Sequence, residues 1–171
     1  MLSNDTRVLC EAMQRQLQRE LSLQRKLLAL AERKRDATVA NDLPALEEVI
    51  RAEQSLTDEL TEYRRIREDL LRRLSVVRGM RGEQRPTLRS LLNGLADPLC
   101  DKILALGDEL RSILHQLVRV NETNQVIMRT ALGMVRQVMS AFTGDTGREG
   151  YDRSGNGGEQ RGSGGLMNFQ A

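Results

Sequence analysis

Apolar residues recur at helical spacing along most of this chain. Over residues 4–40, Leu9, Met13, Leu17, Leu21, Leu28 and Ala31 mark one stripe, and Leu23, Leu27 and Leu30 widen it on one side. No Gly or Pro interrupts the span. Ser3 or Asn4 can cap its start, and Asp5 suits the positive end of the helix dipole. Asn41-Asp42 then breaks the pattern: Asn tolerates the left-handed conformation that ends a helix, and Asp42 can cap the next one, with Pro44 in its first turn. A junction this short predicts an αα-hairpin. The second span, residues 43–78, has a seam of Leu46, Val49/Ile50, Glu53, Leu56, Leu60, Tyr63, Arg67, Leu70, Leu74 and Val77, with a mean step close to the coiled-coil period.

Residues 79–97 read as a connector punctuated by Gly79, Gly82, Pro86 and Gly94, with a short helix over Thr87 to Asn93. Residues 98–142 carry the clearest pattern. Alternate steps of four and three from Leu99 reach Ile103, Leu106, Leu110, Ile113, Leu117, Val120, Asn124, Ile127, Ala131, Met134, Val138 and Ala141, and only Asn124 is polar. Such a seam predicts a long helix that buries it. Either Gly107 and Gly133 bend that helix or its end projects beyond the hairpin. Residues 143–171 hold nine of the 14 glycines and few apolar residues, which predicts a disordered, flexible tail. The expected fold is therefore all-α. An antiparallel helical hairpin and a long C-terminal helix form a three-helix coiled-coil-like bundle over residues 1–142, and a Gly-rich tail follows.

Composition narrows the function. Aromatic residues are only 2% of the chain, namely Tyr63, Phe142, Tyr151 and Phe169, and Trp is absent. This argues against sheet folds and against nucleic-acid platforms built from stacking aromatics. The net charge of +2 gives no field for steering nucleic acid or anionic lipid. No apolar run is long enough to span a membrane, and the N-terminus lacks the apolar stretch of a signal peptide. Cys10 and Cys100 form no CxxC motif and read as reduced thiols of a cytoplasmic protein.

No catalytic, cofactor or metal constellation emerges. The single His115 lies on the outer face of the last helix. Glu47-Glu48 and Asp58-Glu59 read as solvated carboxylates rather than an acid–base pair, which would need a pocket. The basic cluster Arg78–Arg85 is interrupted by Glu83 and has no aromatic partner. The glycines of 155–165 neither follow a strand nor open a helix, so no phosphate loop is implied. Asn124 at a core position either is a tolerated polar residue or fixes register. With Asn121 it makes a polar break in the last helix. Beside the seam, Leu114, Val118, Met128, Leu132, Val135, Met139 and Phe142 form a second apolar stripe. A three-helix core would cover it; alternatively it is left for a client protein, which the adaptable thioethers of Met128, Met134 and Met139 would suit.

The order of several motifs resembles a known family. Leu27-Leu28-Ala-Leu30 leads to Lys34, Ala37, Asp42-Leu43, Leu46, Ile50, Glu53 and Leu56, then Leu60, Arg67 and Leu70. Asn121-x-x-Asn124-Gln-x-Ile127 lies in the last helix, and Gly150-Tyr151-Asp152 in the tail. This resembles the FlgN-like flagellar export chaperones. The Gly-rich extension ending in Leu166-Met-Asn-Phe169 departs from that pattern. The resemblance implies a cytoplasmic, non-enzymatic chaperone without cofactor. It would bind the C-terminal helical segments of hook-associated (hook–filament junction) proteins, prevent their premature assembly and aid delivery to the flagellar export apparatus. Client-binding residues would be Leu114, Val118, Asn121, Met128, Leu132, Val135, Met139 and Phe142. Alternative readings of the same helix are a homodimer, a structural coiled-coil homo-oligomer, or a chaperone for another flagellar client.

Overall fold

The computed structural model describes residues 2–80 and 86–143. Four helices follow in order: α1 (Asn4–Ala40), α2 (Leu43–Val77), α3 (Leu88–Leu92) and α4 (Pro98–Thr143). The described residues contain no strand. The expected disordered tail, with Tyr151 and Leu166–Phe169, lies outside the described residues, as do Arg81 and Arg85 of the basic cluster. The chain divides into two compact units, Met1–Gly133 and Met134–Ala171.

In the first unit, local chemistry sets the hairpin. Ser3 accepts a hydrogen bond from the Thr6 amide and starts α1. Asn41, with φ of 55°, ends it in the left-handed conformation. The Asp42 amide donates to the Ala37 carbonyl at 2.9 Å and the Asn41 amide to the Thr38 carbonyl at 3.2 Å. This pair of bonds satisfies the last carbonyls of a helix that stops at a left-handed residue. Asp42 Oδ1 then accepts from the Ala45 amide at 3.0 Å and opens α2. Direction thus reverses in two residues.

The seam of α2 contains two charged residues, and both find partners on α1. Lys34 Nζ donates to the Glu53 carboxylate at 2.8 and 2.6 Å. Arg67 forms an ion pair with Glu20. Gln16 adds a hydrogen bond of 2.7 Å to the Tyr63 carbonyl. These contacts hold α1 and α2 antiparallel along their length.

Helix α1 is the central element. Its buried residues include Leu9, Cys10, Met13, Leu17 and Leu21, which share one core with Leu70 and Leu74 of α2 and with Cys100, Ile103 and Leu110 of α4. Helix α4 runs parallel to α1: Asp97, just before it, pairs with Arg7 at 3.2 Å, Glu109 with Arg25, and Asn124 with the Ala31 carbonyl at 2.7 Å. The connector is compact. Thr87 caps α3 by accepting from the Ser90 amide, and Arg78 donates to the carbonyls of Leu91 and Asn93. Leu91 and Leu92 are buried. Gly107 accommodates α3 within a helix that continues through it. A Cβ there would meet Leu88 at 3.3 Å, so the missing side chain allows a close approach.

The expectation that the whole α4 seam is core needs correction. Ile103, Leu110, Leu117 and Asn124, seven residues apart, are buried, and Leu99, Leu106, Ile113, Val120 and Ile127 are half-buried. Ala131 and Leu132 are exposed. The reason is register. With Asn124 beside Ala31, α1 has only nine residues left before it ends at Ala40, so its cover runs out near the end of this unit. In the second unit, taken by itself, every described side chain from Met134 to Phe142 is exposed, including the seam residues Met134, Val138 and Ala141.

Candidate functional site

The apolar stripe beside the α4 seam is largely uncovered. In the first unit Leu114 is 40% exposed, Val118 56% and Leu132 56%. Asn121 and Met128, which the sequence groups with them, are half-buried. In the second unit Val135 and Met139 are exposed, and Phe142 is 85% exposed. The eight predicted residues thus follow one helix but differ in accessibility. Three more apolar residues of the helix are exposed: Val126, which sequence reasoning passed over, and Met134 and Val138. The latter two were expected in the core by phase. Single exposed apolar residues are ordinary on a protein surface, whereas here they recur along one helix.

Polar side chains and two thiols are buried in the first unit. Glu20 is only 4% exposed. Burial pushes its carboxyl above the usual carboxylate range, opposed by the charge of Arg67 and by a hydrogen bond from Gln16. Asn124 is 3% exposed; its amide group donates to Ala31, while its Oδ1 is buried without a hydrogen-bond partner. Cys10 and Cys100 face each other across α1 and α4 as buried free thiols. Burial is the main cause that raises Cys10 to about 11, and burial likewise raises Cys100. Such thiols are poor nucleophiles. No group of three or more His, Cys, Asp or Glu among the described residues is arranged to hold a metal ion. No helix among them is long and apolar enough to cross a membrane.

The profile of the FlgN protein family matches residues 1–158. The chain belongs to the FlgN family. FlgN proteins are flagellar export chaperones and not enzymes. No curated protein and no solved structure matches the chain significantly. Of the hairpin residues in the motif order, Lys34 pairs with Glu53 and Arg67 with Glu20, joining its two helices.

Proposed function

We propose that this FlgN-family chain is a cytoplasmic chaperone of flagellar type III export that holds hook-associated proteins by their C-terminal helical segments. It keeps those segments from assembling early and brings the client to the export apparatus. The supporting observation is the uncovered apolar face of α4, with Leu114, Val118 and Leu132 in the first unit and Val135, Met139 and Phe142 in the second. An amphipathic client helix would lay its own apolar stripe on such a face, reading out anchors three and four residues apart. The methionines Met128, Met134 and Met139 suit a surface that must fit more than one sequence.

The test is titration of the full-length protein with the purified C-terminal segment of a hook-associated protein. Leu132→Asp together with Val135→Asp changes two exposed positions, so helicity and thermal unfolding should hold. Binding is expected to weaken by at least about tenfold. Undiminished binding by the folded double variant would refute the assignment. One observation favours a second reading: Met134 and Val138 continue the heptad phase and are exposed, as a homo-oligomeric coiled coil requires. Light scattering separates the two. A tight dimer that ignores added client would establish the structural reading.

A further inference from the structure

Helices α2 and α4 flank α1 without closing over it. Two cavities follow one another along the groove between them and share Arg67 and Leu110 in their linings. The first, about 370 Å³, is bounded by Met13 and Leu17 of α1, Leu71 of α2, Leu88 of α3 and Leu104 of α4. The second, about 420 Å³, is bounded by Gln24 and Leu27 of α1, Leu60 and Arg64 of α2, and Leu114 and Leu117 of α4.

Helix α3 shows what this groove accepts. It is a five-residue helix with two buried leucines, a third leucine against Gly107, and Arg89 paired with Asp108 of α4 at 3.1 Å. In effect it is the last turn of a fourth helix. Its start at Thr87 and Leu88 lines the first cavity, and among the described residues the second cavity beyond that start has no such cover.

The second cavity also carries unmet chemistry. Gln24 Oε1 is buried without a hydrogen-bond partner. A buried acceptor left in this state is costly, and a donor from an incoming chain would relieve it. Arg64 on the α2 rim is exposed and makes no ion pair among the described residues. The lining residues run from Glu20 to Leu27 on α1 and from Leu110 to Leu117 on α4, seven steps each, or about 10 Å at about 1.5 Å per step. That length seats two helical turns.

We propose that the α2–α4 groove beyond α3 docks an amphipathic helix of a partner protein as a fourth helix in line with α3. The helix presents leucine-type anchors three and four residues apart to Leu27, Leu60 and Leu117. It offers a side-chain donor to Gln24 and a carboxylate to Arg64. The inference rests on the client-holding reading above in that the partner is a client. It adds a second contact, on α2, and defines the charge of the segment that fits there.

The probes are two synthetic sixteen-residue helical peptides with leucines at i, i+3, i+4 and i+7, flanked by Glu in one and by Lys in the other. Each is titrated against the full chain by fluorescence anisotropy. The acidic peptide is expected to bind about two- to fivefold tighter than the basic one, and Arg64→Glu to invert the preference. Leu60→Asp should weaken both by at least about tenfold. Leu132→Asp with Val135→Asp should leave both unchanged, so this groove and the α4 face fail separately. Arg64 is exposed, so its variant keeps the fold even if Leu60→Asp does not. Three results would overturn the proposal: no binding of either peptide, no change of preference in Arg64→Glu, or a wild-type dimer that Arg64→Glu dissociates. The last would make a second copy of this chain the occupant.

Discussion

Replacing Arg67 by Ala tests the polar joint of the hairpin. The Glu20 side chain is 5% exposed and that of Arg67 26%. Without Arg67, the only hydrogen bond left to the carboxylate among the described residues is from Gln16 Nε2 at 3.4 Å, and Gln16 is also engaged by the Tyr63 carbonyl. A buried charge stripped of its partner costs about 3–5 kcal/mol. That is a large share of the roughly 5–15 kcal/mol that stabilises a typical domain. The sign of the pH dependence follows from burial, which already raises the Glu20 pKa in the folded protein. Removing Arg67 takes away the largest opposing influence and raises it further. A carboxyl with a raised folded pKa favours the folded state fully below its unfolded pKa, and that contribution is lost as pH rises through the folded value. The deficit of Arg67→Ala is therefore largest at neutral pH and shrinks as the solution is acidified. Urea unfolding followed by circular dichroism at neutral and mildly acidic pH measures it. Adding Glu20→Gln to Arg67→Ala should recover most of the loss at neutral pH. A loss under about 1 kcal/mol at neutral pH, or one that does not change with acid, would refute the reasoning.

Two further outcomes follow from buried groups. Asn124→Leu removes a buried, unpartnered acceptor and adds apolar burial at the cost of one hydrogen bond to Ala31, so it should stabilise the fold by about 1–3 kcal/mol in urea unfolding; a destabilised variant would mean that the Asn124 hydrogen bond outweighs both gains. Cys10 and Cys100 should react slowly with a thiol reagent in the native protein and rapidly once it is unfolded, because both are buried and burial raises both pKa values; a fast native phase would contradict their placement.

Much of this arrangement was legible in the sequence because it is local. The turn at Asn41-Asp42 and the phase of the α4 seam need only neighbouring residues. The buried set Ile103, Leu110, Leu117 and Asn124 falls at the phase that the pattern gives. The extent of the cover was not legible. Periodicity says which side of a helix faces a partner, but Ala131 loses its cover because of where α1 ends. Charged seam positions were equally opaque: Glu53 and Arg67 break the apolar pattern of α2, and only the fold supplies Lys34 and Glu20. Asn121 and Met128 carry the same apolar-stripe spacing as Leu132, yet they are half-buried. The α2–α4 groove has no sequence signal, because three separate helices and the glycine that admits α3 create it together.

The central claim is that a client helix is held along the uncovered face of α4. Amide hydrogen exchange of the full-length protein, with and without the C-terminal segment of a hook-associated protein, tests it most directly. The account predicts that the segment slows exchange chiefly over residues 114–142 and that Leu132→Asp with Val135→Asp abolishes the slowing. Protection confined to α1 and α2, with residues 114–142 unchanged, would contradict it.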